Sequence, residues 1–350
     1  MASNKPSQST GNFPTDPTNT ISQLDGKNKA PGPNRFNSWF YCHEAFKKVH
    51  NAICAQNPRE QLKPEEKDYL ALHLAFYLAS WGMYRGSSFL LQLDYTTHFP
   101  VVEMLFDDKY DALWDFDPAT CNNPMAIKDL LFKIPNGSVP KSKDPKTRAA
   151  ISNNPNWGLY WRIKYSYDSY KGEAKEGSDT LVTKILLGTL CCLPAYDRFF
   201  KAGVKIYKNG AKTSQPLKLS ANIECKKGFD SLCEIVGYFD KITNNAWRDF
   251  PKSDHHLKQS NNSYSYPTMK LVDMFFWNLG LGWGFVNVLC DKTDTLKPKK
   301  GGFSNAGKIK AIESAIEAGF ITPPRKAPQA NALSNKTLSS FARKIAKALI

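Results

Sequence analysis

The chain has 350 residues, 41% of them apolar and 13% aromatic, which is enough to bury one large core or two moderate ones and excludes a wholly disordered protein. Lys and Arg number 47 against 32 Asp and Glu, and the resulting +15 favours a polyanionic partner through counterion release and long-range attraction, nucleic acid first. No apolar run reaches the roughly 20 residues that span a bilayer, and no apolar signal core is present, so the chain is expected to be cytoplasmic with no membrane partner.

Residues 1–35 are rich in Ser, Thr, Asn, Pro and Gly and carry too little apolar surface to offset the entropy of ordering, which predicts a flexible tail. Helical periodicity begins at Phe36, with Phe40, Phe46, Val49 and Ile53 following at three- to four-residue spacing. A second helix opens at Pro64-Glu65-Glu66 and runs through YLALHLAFYLASWGMY; it is apolar on most faces and is expected to be central. Further helices are predicted near 98–114, 125–134, 156–170, 179–192, 195–203, 218–244, 266–285, 305–318 and 336–350. The best strand candidate is VKIYKNG at 204–210. Stretches 135–156 and 250–265 read as loops, and 322–335 as a linker to a basic amphipathic helix with Leu338, Phe341, Ile345 and Leu349 on one face. The prediction is an all-α fold: a tail over 1–35, a helical body over 36–321, and a linker with a C-terminal helix over 322–350.

The eight cysteines include no Cys-x-x-Cys pair, so no zinc ribbon or thioredoxin motif is offered, and buried free thiols are expected. His43, His50 and Cys54 share one helix face, but three candidate ligands without a fourth predict packing, and neither a metal nor a cofactor is expected. The glycine-rich LGLGWG at 279–284 has no preceding strand and no phosphate-binding lysine, which argues against a nucleotide loop. From Asp291 to Lys347 the chain carries 12 cations against four acids; Lys297, Lys299 and Lys300 of KPKKGG are candidates for phosphate contact.

The most informative stretch is LVTKILLGTLCCLPAYDRFFKAG, residues 181–203. Pro194 cannot continue the preceding helix, and a restart after it places Asp197 in the first turn of a new one, where a carboxylate suits a helix cap. The alternative is a carboxylate held at the mouth of a cleft by an apolar frame, positioned for a developing positive charge. This segment resembles the catalytic segment of the helix-hairpin-helix superfamily of DNA base-excision glycosylases, where a helix leads through a turn into Pro-x-x-Asp and another helix. The stretch YPTMKLVDMFFWNLG, 266–280, similarly resembles the closing helix of that domain. The family's turn is usually Leu-Pro-Gly-x-Gly and binds phosphate through backbone N–H groups; here the nearby glycine is Gly188.

The resemblance implies an orthogonal helical glycosylase fold and a monomer that binds duplex DNA and flips a base. It implies that Asp197 is the catalytic carboxylate and that Lys184 is the counterpart of the lysine with which bifunctional members form a Schiff base. In SWGMYRGSSFLLQLDYTTH, 80–98, Trp81, Tyr84 and Arg85 suit stacking on an extruded base, and Ser88 and Gln92 suit reading its edge; Arg85 could instead pair with Asp94 or Asp68. Tyr196 is a further base-contact candidate, and Arg198 and Lys201 are DNA-contact candidates. NWGLYWRIKYSYDSYKG, 156–172, interleaves aromatics with cations, as in single-strand stacking surfaces or in an amphipathic helix with its lysines in water. The competing readings are a non-catalytic helical nucleic-acid-binding module, of the kind a defence or mobile-element system uses, and a helical protein-interaction scaffold.

Overall fold

The computed structural model describes residues 17, 18, 21, 37–86, 88–135, 137, 138, 144–167, 177–210, 220, 223, 228–248 and 266–289. Among these residues the protein is helical and contains no strand. Its helices are α1 (Asn37–Cys54), α2 (Pro64–Ser80), α3 (Phe99–Leu105), α4 (Pro124–Phe132), α5 (Pro145–Asn153), α6 (Leu159–Ser166), α7 (Asp179–Gly188), α8 (Arg198–Gly210), α9 (Gly228–Thr243) and α10 (Thr268–Leu289). The predicted helices at 305–318 and 336–350, the loop at 250–265 and most of 1–35 lie outside the described residues. Within the predicted tail, Pro17, Thr18 and Ile21 are helical, and Ile21 is buried in the core.

Side-chain caps set several of the helix starts. Ser178 Oγ accepts from Leu181 N–H (3.1 Å) ahead of α7, and Asn123 Oδ1 from Ala126 N–H (3.1 Å) ahead of α4. The predicted single helix at 98–114 is interrupted because α3 ends at Leu105 and Asp107 begins a new turn, its side chain accepting from Lys109 N–H; the residues Asp108–Leu113 then form a separate 3₁₀ turn. The predicted loop 135–156 contains α5, started by Asp144, whose Oδ2 accepts from Thr147 N–H at 3.1 Å, with Pro145 in the first turn. The predicted strand at 204–210 is the second half of α8. Val204 and Ile206 fit a period of two, but the buried set Phe200, Val204 and Tyr207 follows the helical spacing, and burial decides.

α2 is less central than its composition predicts. Leu70, Ala71, Leu74, Tyr77 and Leu78 are buried, whereas Tyr69, Leu72 and Phe76 form an exposed stripe, Phe76 being 60% accessible. α1 buries Trp39, Cys42, His43, Phe46, His50 and Ile53. It is tied to the end of α7 by Trp39 Nε1 donating to Leu187 O (2.8 Å) and by His43 Nδ1 against Thr189 O (2.7 Å).

The most extensively packed helix pair is α8 with α10, and glycines make that crossing close. A methyl group at Gly203 would fall inside the van der Waals envelope of the Phe276 carbonyl, and one at Gly280 inside that of the Phe199 carbonyl. The glycines of LGLGWG therefore lie within α10, and Gly280 serves backbone contact between helices. Gly280→Ala is expected to lower stability by about 2–3 kcal/mol through overpacking, read as a lower denaturant midpoint at unchanged m-value.

Candidate active site

The connection from α7 to α8 brings four ionisable side chains together in the interior. Lys184, on α7, has its Nζ 3.2 Å from Asp197 Oδ2. Lys270 and Asp273, one turn apart on α10, form a second pair at 3.2 Å. All four residues are at most 9% exposed. Asp273 links the pairs mechanically, because its Oδ1 accepts from Ala195 N–H (3.0 Å) in the turn that presents Asp197. Burial raises the Asp273 carboxyl above its ordinary range, and the Asp197 charge adds to this; Lys270, Lys184 and the Ala195 N–H oppose it.

Asp197 has two distinct jobs. Its Oδ1 accepts from Phe199 N–H (2.9 Å) and Phe200 N–H (3.0 Å), satisfying two otherwise orphaned donors at the start of α8. Its Oδ2 faces the Lys184 ammonium. The turn backbone is also bound from within: Tyr196 N–H donates to Thr183 Oγ1 at 2.8 Å, and Ala195 N–H to Asp273. These two N–H groups point into the protein rather than toward a phosphate. Gly188 closes α7 where the Tyr77 ring of α2 leaves no room for a Cβ.

Aromatic rings cover the ionic cluster. Lys184 Nζ lies 5.0 Å from the Trp81 ring centroid; Lys270 Nζ lies 5.9 Å from the same ring and 5.0 Å from that of Trp39. Trp81 meets Trp277 edge-on at 5.9 Å, Trp277 meets Phe199 at 5.6 Å, and the Arg198 guanidinium sits 4.5 Å from the Phe199 centroid. A file of rings thus runs from the exposed Arg198 to the buried lysines.

The other residues singled out from sequence are dispersed. Arg85 is exposed and lies back over Gly82 (φ +76°), and its guanidinium has no ion-pair or hydrogen-bond partner among the described residues. Asp68 instead accepts from Tyr95 Oη, and Asp94 from Thr96. Ser88 caps the 3₁₀ turn Phe89–Gln92, accepting from Leu90 N–H at 3.3 Å, and Gln92 is exposed at the end of that turn. Tyr84 Oη contacts His98 Nε2 (2.7 Å), whose Nδ1 contacts Tyr167 Oη (2.8 Å). Burial holds His98 down to about 3 and pushes Tyr84 up to about 12. The Tyr196 ring is buried against Phe200, with centroids 4.7 Å apart. Lys201 is half-buried one turn after Arg198, with exposed Lys205 one turn further. Lys297, Lys299 and Lys300 lie outside the described residues.

Helix α6 corrects both readings for the part of the aromatic and cationic stretch it covers, since every residue from Leu159 to Ser166 is buried; Tyr170 and Lys171 lie outside the described residues. Lys164 Nζ pairs with Asp179 (2.9 Å), and Arg162 donates to Ser152 O (2.9 Å) and Tyr110 Oη (3.0 Å), so its cations serve the interior. The face shared by His43, His50 and Cys54 divides in two. His43 turns to Thr189 and to Asp115, whose carboxyl is pushed up by burial but held net below the usual range by His43 and Lys47. His50 and Cys54 meet Asp111, and among the described residues the donor atoms of these three lie within 4.8 Å of one another, close enough to share a metal ion. Of the predicted buried thiols, Cys42, Cys191 and Cys192 are buried and free, and Cys54 is exposed.

The missed residues are Lys270 and Asp273. Their sequence signal is a Lys-x-x-Asp pair one helical turn apart in an otherwise apolar run, TMKLVDMFFW. Comparison with known proteins gives no matching family model, no matching curated protein and no matching solved structure.

Proposed function

We propose that the protein is a nucleic-acid N-glycosylase that binds DNA along α8 and cleaves the bond between a flipped base and its sugar at Asp197. The observation that carries this reading is the buried Lys184–Asp197 pair at 3.2 Å, placed at the start of a helix whose outer face carries Arg198, Lys201 and Lys205. Burying ionic groups is a poor route to stability compared with apolar packing, and clustered buried charges mark sites where a field is used. In the proposed reaction the C1′–N bond breaks with its electron pair leaving on the base. The Asp197 carboxylate offsets the positive charge that develops on the sugar. A water oxygen bonds to C1′, its proton passing to Asp197 Oδ2, and Lys184 holds that oxygen in place before substrate arrives. Trp81, half-buried over both lysines, offers a stacking face, and unpaired Arg85 a cation.

A second reading is favoured by the two N–H bonds to Asp197 Oδ1: a non-catalytic helical nucleic-acid-binding module in which Asp197 caps α8. Base release from a panel of normal, damaged and naturally modified DNAs separates the two. The first reading expects release that Asp197→Asn abolishes; the second expects salt-sensitive binding without release.

A further inference from the structure

We propose that His50, Cys54 and Asp111 form a binding site for a zinc-class divalent metal, with one coordination position open to solvent. His50 and Cys54 stand one turn apart at the C-terminal end of α1, and Asp111 comes from the 3₁₀ turn Asp108–Leu113. His50 Nε2 is 3.0 Å from Asp111 Oδ1 and 3.4 Å from Cys54 Sγ, and the three donor atoms all lie within 4.8 Å of one another. Tetrahedral zinc bonds of about 2.0–2.1 Å to nitrogen and oxygen and about 2.3 Å to sulfur require N···O and N···S separations of about 3.3 and 3.6 Å. The cluster is within a few tenths of an ångström of both.

The chemistry of the contacts points the same way. One imidazole nitrogen cannot donate a proton to a carboxylate and accept one from a thiol at the same time, yet Nε2 faces both groups. A cation at their centre makes both contacts ligand-to-ligand separations. The imidazole is held in place, 8% exposed and stacked on Trp114 with centroids 4.0 Å apart and planes at 20°. Arg59 supplies positive charge to the cluster: it pairs with Asp111 and has Nη1 3.4 Å from Cys54 Sγ. Metal entry releases the thiol proton to solvent and displaces Nη1 from the sulfur, while Asp111 Oδ2 keeps its guanidinium contact. Thiolate, imidazole and carboxylate together select zinc or cobalt over magnesium or calcium. Without metal the thiol is no activated nucleophile, because partial burial and Asp111 raise it and Arg59 only partly opposes them.

Cobalt(II) added to the full-length protein after chelator treatment tests the site. The expected result is one equivalent bound, with a near-ultraviolet thiolate-to-cobalt band and tetrahedral visible bands that zinc abolishes. Cys54→Ser is expected to lose the thiolate band and to bind at least ~10-fold more weakly. His50→Gln is expected to weaken binding similarly, while Cys121→Ser and Cys233→Ser keep wild-type spectra. Because Cys54 is exposed, metal-free Cys54→Ser should melt as the metal-free wild type does, which separates loss of a ligand from loss of fold. A thiolate band that survives Cys54→Ser, or a wild type that takes up less than one equivalent in excess cobalt, would overturn the proposal.

Discussion

Asp197→Ala is expected to destabilise the protein by about 3–5 kcal/mol, measured by denaturant unfolding at neutral pH. The change removes the counter-charge of an ammonium that is 4% exposed, and breaking one side of a buried pair carries a penalty of this size. It also strips Phe199 and Phe200 N–H of their acceptor, a cap loss of about 1 kcal/mol by itself. Asp197→Asn keeps the cap but still leaves the ammonium without its counter-charge, so its loss should be smaller by about that 1 kcal/mol. Combining Asp197→Asn with Lys184→Met should recover stability relative to Asp197→Asn alone, because no buried charge is then left without its partner. A double-mutant cycle with no coupling would show that the 3.2 Å contact has no energetic role.

The second large effect is a loss of stability in acid through His98. Burial lowers its folded-state value to about 3 from an unfolded value near 6.5. The unfolded chain therefore binds the extra proton first, and stability rises with pH across this window. The contribution is fully present above about pH 6.5 and is lost progressively as pH falls toward 3, amounting to on the order of 4 kcal/mol. His98→Gln should flatten the stability profile between pH 6.5 and 4. The opposite sign belongs to Asp273: its raised carboxyl makes the fold lose stability as pH rises from the unfolded value near 3.8 through the folded one. The His98 effect bears on the site because Tyr84, in the loop after α2 that carries Trp81 and Arg85, is anchored to His98. Protonation does not break that contact, since imidazolium donates from both nitrogens; the cost is desolvation of the charge.

Where local chemistry sets structure, the sequence is readable. Asp197 restarts the chain as a cap, and in α1 Phe46 and Ile53 are buried as their spacing predicts while Phe40 and Val49 are partly exposed; α7, by contrast, already ends at Gly188, ahead of Pro194. Local pattern is ambiguous where tertiary burial chooses between periods. Residues 204–210 alternate like a strand, yet Phe200, Val204 and Tyr207 give α8 its buried stripe. α5 was hidden because its helix signal is only Asp144-Pro145-x-Thr147 ahead of a weakly apolar run. The cations of α6 look like a surface and are core, because their partners Asp179, Ser152 and Tyr110 are distant in sequence.

The candidate site shows the same division. Asp197 and Lys184 are conspicuous as charges in an apolar frame, thirteen residues apart, and the fold brings them to 3.2 Å. Lys270 and Asp273 carry an equivalent signal some 75 residues later, but nothing local ties them to Ala195 and Trp81. The close crossing at Gly203 and Gly280 is likewise a property of two helices, invisible in either one.

The most direct test of the Asp197 mechanism is mass spectrometry of bases released from DNA by wild type and by Asp197→Asn, with both proteins shown to be folded at the assay temperature. The account expects wild type to free at least one normal, damaged or modified base. It expects Asp197→Asn to bind the same DNA with the same steep salt dependence while release falls by at least ~10²–10³-fold. Release at the wild-type rate by folded Asp197→Asn would contradict it, as would no release by wild type on any DNA that it binds.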